Sequence, residues 1–184
     1  MATNASYVAT GKAKVSGAIY RAPISEELVI PTDPTTALSE DYICLGFVGE
    51  DGLTNGRSSE KEDFKDWNGN VIYSSLTSQE DTFACTLVEV LNPEVLKTVY
   101  GDDAVEELVD GSIKISVTAK DLEPCSYVIE TVLNGRAKRI VLPKAKLSEV
   151  SDLVYKADTL LGYGITLSSL PDEAGNTHYE YISK

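Results

Sequence analysis

Residues 127–142 read Tyr-Val-Ile-Glu-Thr-Val-Leu-Asn-Gly-Arg-Ala-Lys-Arg-Ile-Val-Leu, and this stretch decides the fold class. Two strand-like segments rich in apolar residues, 127–133 and 137–142, flank the dipeptide Asn134-Gly135. Asn-Gly is a preferred pair for a type I′ turn, because both central residues of that turn need a positive φ. The stretch therefore predicts a β-hairpin in a chain built mainly from strands.

Further strand patterns lie on both sides of this hairpin. The segments 113–117 and 163–167 alternate apolar and polar residues, which is the period of a half-buried strand. Residues 82–91 are apolar or small on both faces, which predicts a central strand covered on both sides. Residues 42–48 form a continuous apolar run typical of a buried strand. Asn68-Gly69 predicts a second type I′ turn, which leads into a strand at 71–73.

One helix is predicted over residues 92–101. Asn92 is a good N-cap, Pro93 suits the first helical position, and Gly101 suits the position after the last turn. A second short helical turn is expected from Asp103 to Val109, with Asp102-Asp103 as its cap. Residues 147–155 fit a strand or a helix equally well.

These elements predict a single domain over residues 1–184, a β-sandwich or barrel with one packed α-helix. The prolines at 31 and 34 predict an extended loop over about 24–41. Arms are expected at about 1–10 and about 174–184, where 179–182 is either a final strand or part of the arm. Such a sheet has open edges, and pairing with copies of the same chain is one way to use them.

Charge is distributed unevenly along the chain. The net charge is −13, from 16 Lys and Arg against 29 Asp and Glu. Residues 37–110 hold 17 acids and four bases, so the whole excess lies there, while the flanking segments are neutral. An acidic surface repels phosphate, so tight nucleic-acid binding is not expected. A solvated surface and a functional acidic surface both remain open interpretations.

The sequence predicts no membrane insertion and no secretion. No apolar run approaches the ~18 residues of a membrane-spanning helix. Residues 1–7 lack a basic stretch followed by an apolar one, so no secretory signal is expected. Three separated cysteines, Cys44, Cys85 and Cys125, argue against a disulfide framework. Assembly in a cytoplasm is the expectation.

No catalytic, cofactor or metal motif is recognised. His178 is the single histidine, and it is interpreted as an exposed or interface residue because no nucleophile-elbow motif accompanies it. No zinc spacing, phosphate-binding glycine loop or calcium loop is present. With 29 acids in the chain, adjacent acidic pairs have almost no specificity for a carboxylate-dependent hydrolase. We therefore expect a protein that is not an enzyme.

A weak basic cluster lies in the C-terminal third of the chain. Its members are Arg136, Lys138, Arg139, Lys144 and Lys146. An acidic middle segment and a more basic C-terminal third allow copies to stack head to tail with opposite charges facing. Simple surface charge explains the pattern equally well.

Several strings resemble one protein family. Leu45-Gly-Phe-Val-Gly-Glu-Asp-Gly-Leu-Thr-Asn55 and Leu91-Asn-Pro-Glu-Val-Leu-Lys-Thr-Val-Tyr-Gly-Asp-Asp103 are the longest. The others are 17–23, 31–38, 79–83, 138–143 and 170–181. In this order they resemble the major tail proteins, or tail tube proteins, of long non-contractile-tailed bacteriophages of Gram-positive hosts.

The resemblance implies a structural role in the phage tail. Six copies would close a ring whose sheets join into an inner barrel, and rings would stack head to tail into a tube that conducts double-stranded DNA. The implied partners are a tape measure protein, a tail terminator and distal tail proteins. Arms and a long loop would reach into neighbouring rings, and the family has no catalytic residues to carry over.

An acidic bore would let DNA slide instead of sticking, because it repels phosphate. We expect Glu60, Glu62, Asp66 and Glu80, all in the acidic segment, to line that bore. The alternatives are a related structural protein (a tail terminator, a capsid decoration protein or a secretion-tube subunit) and, more distantly, a carboxylate-dependent hydrolase.

Overall fold

The fold is mainly β, as predicted. A computed structural model describes residues 3–184, so the first two residues of the predicted N-terminal arm lie outside the described residues. One α-helix, α1 (Pro93–Tyr100), and two short 3₁₀ turns, Ala5–Tyr7 and Asp102–Ala104, accompany the strands. The strands are β1 (Gly11–Ala13), β2 (Ile19–Pro23), β3 (Ile43–Cys44), β4 (Val48–Lys65), β5 (Val71–Leu87), β6 (Val105–Glu107), β7 (Ile113–Ile115), β8 (Cys125–Leu133), β9 (Arg136–Val150), β10 (Tyr163–Ser169) and β11 (Tyr179–Ile182).

Nine strands form one antiparallel sheet that folds over into two layers. The strand order is β3-β2-β8-β9-β10-β5-β4, with β1 also on β8 and β11 also on β9, while β6 and β7 pair separately. The first half of β9 pairs with β8 and β11, and its second half pairs with β10. We call β1, β2, β3, β8, β11 and the first half of β9 the front layer. The second half of β9 with β10, β5 and β4 is the back layer.

The core lies between these layers. Ile19, Ile129 and Ile140 of the front layer form one buried cluster with Phe83 and Leu167 of the back layer. The helix closes one side of this cluster with Val95, Leu96 and Val99. Burying apolar side chains from both sheets against each other is the usual way that a sandwich is stabilised.

The two Asn-Gly turns have different outcomes. Asn134 and Gly135 have φ values of 48° and 87°, and Leu133 pairs with Arg136, so the predicted type I′ turn of the β8–β9 hairpin is confirmed. At the second site Gly69 has a φ of 85°, whereas Asn68 is not in the positive-φ region. The type I′ prediction there is wrong, although the chain does reverse at that place.

The predicted helix is confirmed with both of its caps. The Asn92 side chain accepts a hydrogen bond from the Glu94 amide at 3.0 Å, and Pro93 is the first helical residue. Gly101 follows the last turn with a φ of 100°, and its amide bonds to the Lys97 carbonyl.

Several local predictions are wrong at their ends. The predicted helical turn at 103–109 is a 3₁₀ turn followed by β6, which pairs with β7. The apolar run 42–48 is divided between β3 and the start of β4. The strand expected at 82–91 ends at Leu87, and its second face is half-exposed instead of covered. The ambiguous segment 147–155 is strand only as far as Val150.

The proline-containing loop over 24–41 packs on the outer face of the front layer. Leu28, Ile30 and Leu38 lie against a small buried cluster that includes Val128 and Val141. The loop is thus ordered against its own sheet, and its predicted reach into a neighbouring copy stays a prediction.

Candidate assembly surfaces

The largest unpartnered feature is the outer part of the β4–β5 hairpin. The two strands pair from Leu53 with Cys85 out to Lys65 with Val71. Between 58 and 80 every residue except Asp66 and Ser75 is exposed, and this part is called the projecting hairpin. It contains five acids and two lysines. A two-stranded ribbon without a layer beneath it is marginally stable alone, so it is a natural element to be completed by another surface.

A tight hydrogen-bonded turn closes the projecting hairpin. Asp66 accepts hydrogen bonds from the amides of Asn68 and Asn70, both at 2.8 Å, and the Asp66 amide donates to the Asn70 carbonyl. Hydrogen bonds to its carboxylate from the Asn70 side chain, and then from the amides of Asn70 and Asn68, lower the pKa of Asp66. The same pattern, Asp-x-x-Gly-Asn, forms the same bonds at 172–176. The tip is therefore a built turn and not a loose loop.

Apolar side chains cluster at this tip. Trp67 is fully exposed at 102%. The other exposed apolar residues of the hairpin are Phe64, Val71, Ile72, Tyr73 and Leu76. Contiguous exposed apolar groups of this kind mark interaction sites in soluble proteins.

The outer face of the back layer is polar, and its charged residues come from β9. Along β5 the inward residues from Asp81 to Leu87 are buried, and the residues between them are half-exposed. Strand β10 shows the same alternation. The residues on this outer face from β4, β5 and β10 are Thr54, Gly56, Thr82, Ala84, Thr86, Gly164, Thr166 and Ser168. Strand β9 adds Glu149 beside Thr166 and Lys146 beside Ser168.

Three of the four predicted bore residues lie on the projecting hairpin, on the same side of the sheet as this outer face. Glu60 pairs with Ser78, and Glu80 pairs with Ser58, so both lie on the side of Thr82. Glu62 is on the same side, two residues after Glu60. The structure places Asp66 instead within the tip turn, where its carboxylate is occupied by backbone amides.

A buried carboxylate fixes the root of the hairpin. Asp81 has 0% exposure and accepts hydrogen bonds from Asn55 at 2.9 Å, Thr177 at 2.7 Å and His178 Nδ1 at 2.5 Å. Burial alone would raise the pKa of Asp81, but these three hydrogen bonds outweigh it and lower the pKa. His178 is therefore half-buried instead of exposed, because it ties the segment before β11 to the hairpin root, and the alternative that it lies at an interface stays a prediction.

A second buried network holds the proline-containing loop. Arg139 is 2% exposed and bonds to the Glu130 carboxylate, and it also donates to the carbonyls of Asp33 and Thr36 at 2.8 Å. Lys14 pairs with the other oxygen of Glu130. Arg139 is thus a buried structural cation and not part of a surface basic cluster.

The acids after the helix also have structural roles. Asp102 binds both terminal nitrogens of Arg21, which lowers the pKa of Asp102, and Asp103 pairs with Lys120 at 3.0 Å. The prediction that Asp102-Asp103 caps a helical turn is wrong, since no side chain caps the 3₁₀ turn.

The described residues contain a His–Asp pair but not a catalytic triad. Within residues 3–184, no serine hydroxyl is within hydrogen-bonding distance of the His178 ring. In the same part of the chain, no group of three or more His, Cys, Asp or Glu side chains is arranged to hold a metal ion. None of the helices there has the length and apolarity needed to cross a membrane.

Comparison with known families decides the assignment. A family model described as phage tail tube protein matches residues 1–184. The chain belongs to the phage tail tube protein family. Mainly β architecture with one packed helix agrees with the fold that the sequence resemblance implied.

The other comparisons are sparse. No curated protein matches the chain. Among solved structures, a chain of the "Cryo-EM structure of the anti-feeding prophage cap (AFP tube terminating cap)" is similar, with a TM-score of 0.44 and 9% identity over 87% of this chain and 95% of that one. The assignment to the tail tube family rests on the family model and not on this distant likeness.

Family membership gives the tail tube protein a structural role in the virion tail, where it assembles with other tail proteins.

Sequence reasoning missed the length of the projecting hairpin, because residues 55–65 are polar on both faces and lack the alternation of a half-buried strand. The repeated Asp-x-x-Gly-Asn pattern was an available signal for the turn.

Proposed function

We propose that this tail tube protein is the repeating subunit of the tube itself: six copies close into a ring, rings stack head to tail, and the lumen conducts the double-stranded genome. The observation that carries the proposal is the back layer, which has two unpaired edges and an uncovered polar face. Within residues 3–184 no strand pairs with the outer edge of β4, or with Leu147 to Val150 on the side of β9 opposite β10.

Unpaired edges are hazards that folded proteins either block or use. Joining β4 of one copy to β9 of the next would continue the sheet from subunit to subunit and close it into a barrel without edges. The polar outer face of the back layer would then line the bore.

The bore surface would combine hydroxyl groups with acids. Thr82, Thr166 and Ser168 would present neutral hydroxyls, and the carboxylates of Glu60, Glu62 and Glu80 would lie beyond them on the hairpin. Phosphate is repelled by such acids, and Lys146, the cation beside Ser168, is already paired with Asp121, so DNA would pass without sticking. Asp66 stays a candidate for the bore, with its carboxylate bonded to the amides of the tip turn.

The family resemblance supplies the partners in this proposal. A tape measure protein would occupy the bore during assembly, and the terminator and distal tail proteins would cover the two ends of the stack. We place assembly in the host cytoplasm.

Electron microscopy of the purified protein tests the assembly. Negative-stain images are expected to show rings or tubes with a stain-filled bore. A monodisperse monomer at high concentration would contradict the proposal.

Accessibility tests which face lines the bore. In a Glu80→Cys variant that assembles, a small maleimide should reach the thiol in tubes, whereas a maleimide on a large polymer should react only with unassembled subunits. Cys44→Ser serves as the background, since Cys44 is the half-exposed native thiol. Equal reaction of both reagents with tubes would place this face outside.

A further inference from the structure

A groove opens where the two layers of the sandwich part. It has a volume of about 390 Å³ and lies between the ends of β1, β8 and β9 on one side and the start of β4 on the other. Its lining includes Lys12, Ile19, Leu53, Ile129, Leu133 and Lys138. We call it the sandwich mouth.

The sandwich mouth has an apolar floor made by the core itself. Ile19 and Ile129 belong to the buried core cluster, and Leu53 is packed against that cluster. The volume is within the range in which protein pockets hold a ligand of several rings. An aromatic anchor could therefore bury its surface here against side chains that are already fixed.

The rim of the sandwich mouth carries charges of both signs. Its lining holds Lys12 and Lys138, and Lys138 pairs with Glu180 at 2.8 Å. The exposed acids Glu50 and Asp51 lie between the lining residues Gly49 and Gly52. Lys12 makes no ion pair within residues 3–184, and its charge is opposite to the net charge of the projecting hairpin, which has five acids against two lysines.

The hairpin tip has the properties of an interface anchor. Trp67 is fully exposed on a turn that is held by the Asp66 hydrogen bonds. Tryptophan is enriched among the residues that contribute most to binding at interfaces, and a preorganised turn lowers the entropy lost on docking.

The tip cannot enter the sandwich mouth of its own chain. Leu53 and Asn55 form one wall of that mouth, and the chain runs outward from them as a continuous strand to Lys65. Twelve residues of strand from Asn55 to Trp67 span about 40 Å. The occupant must therefore come from another molecule.

We propose that the tip of the projecting hairpin, with Trp67 as its anchor, docks into the sandwich mouth of a second copy of this chain. The inference rests on the proposed self-assembly and adds the two surfaces that meet. An apolar anchor enters an apolar floor, and the acidic hairpin lies against Lys12 of the rim.

Pairwise disulfide capture tests the contact directly. Two variants in the Cys44→Ser background, Trp67→Cys and Leu133→Cys, are mixed, assembled into tubes and oxidised. A cross-linked dimer on a non-reducing gel is expected from the mixture and not from either variant alone. Tyr155→Cys replaces Trp67→Cys as the control, since Tyr155 is also well exposed but lies on the loop between β9 and β10.

The outcomes separate this inference from the proposed function. Wild-type tubes without the Trp67–Leu133 cross-link would overturn the docking and leave tube formation standing. A cross-link from Tyr155→Cys instead would assign the sandwich mouth to the β9–β10 loop. If the wild-type protein formed no tubes under any condition, the proposed function itself would be contradicted.

Assembly measurements keep the inference testable if the cysteine variants do not assemble. Trp67→Ala should raise the protein concentration needed for tube formation at least about tenfold, which corresponds to about 1.4 kcal/mol. Reversing the hairpin charge Asp63→Lys or the rim charge Lys12→Glu should also weaken assembly. Combining both in one chain should restore it, and failure of this rescue with normal monomer folding would count against the docking.

Discussion

The chain contains two long β-hairpins that are stabilised in opposite ways. In the β8–β9 hairpin, nearly all residues from Cys125 to Glu130 and from Arg139 to Leu142 are buried within the sandwich. In the β4–β5 hairpin, only the part near the root contacts the core, and the projecting hairpin is exposed on both faces. The first hairpin stabilises the fold of a single subunit. The side chains of the second are exposed, and they are available to contact other molecules.

The largest expected effect is the loss of the buried cation in the β8–β9 hairpin. Arg139→Met should lower the free energy of unfolding by about 3–5 kcal/mol, because it leaves the buried Glu130 carboxylate without its main partner. Glu60→Gln on the projecting hairpin should change it by less than about 0.5 kcal/mol. Urea unfolding of unassembled subunits measures both, and equal losses would erase the distinction between the hairpins.

Two leucines, Leu142 in the core and Leu76 on the projecting hairpin, allow the two hairpins to be compared through apolar side chains. Leu142→Ala should lower the free energy of unfolding by about 2–5 kcal/mol, since Leu142 is fully buried. Leu76→Ala should lower it by less than about 0.5 kcal/mol, since Leu76 is 54% exposed. A large loss from Leu76→Ala in the monomer would mean that the hairpin folds back onto its own chain.

The two turns should respond differently to the same substitution. Asn134→Ala should cost about 1–2 kcal/mol, because alanine is strained at a φ of 48°. Asn68→Ala should have little effect, because its φ is not positive and only its backbone amide is bonded to Asp66. Asn134→Gly removes the backbone strain of alanine but still lacks the side-chain hydrogen bond to the Val8 carbonyl. Thermal unfolding of the three variants therefore separates the cost of backbone strain from the cost of losing this hydrogen bond.

The smallest effect at neutral pH concerns the root of the projecting hairpin. The folded pKa of Asp81 is lowered from 3.8, so its ionised form stabilises the fold above that pH, and this contribution is lost as the pH falls toward the folded pKa. Unfolding of the wild type and of Asp81→Asn should therefore converge below about pH 4. Parallel pH profiles for the two proteins would contradict this role.

Sequence patterns predicted the parts of the molecule that depend on local chemistry. The β8–β9 turn and the helix α1 with its caps follow from Asn134-Gly135, Asn92 and Gly101, because each of these residues satisfies a local backbone requirement. The same reasoning failed at Asn68, where Asp66 supplies the hydrogen bonds that define a different turn.

Contacts between distant segments could not be predicted in this way. The pairing of His178 with Asp81 and of Arg139 with the loop carbonyls at 33 and 36 depends on how the strands are ordered in the sheet. The candidate bore residues Glu60, Glu62 and Glu80 were chosen from charge alone, and the strand register then placed them on one face. Asp66 lies beyond the last pair of that register, in the tip turn.

Strand β9 has a further consequence for how the subunit withstands disruption. Because this one strand of 15 residues hydrogen-bonds with β8 and β11 at one end and with β10 at the other, opening either layer pulls on the backbone of the other. The subunit should therefore unfold as one cooperative unit, and its slowest-exchanging amide protons should lie along both halves of β9. Under mechanical load, a tube built from such subunits would lose whole subunits before one layer of a subunit opened.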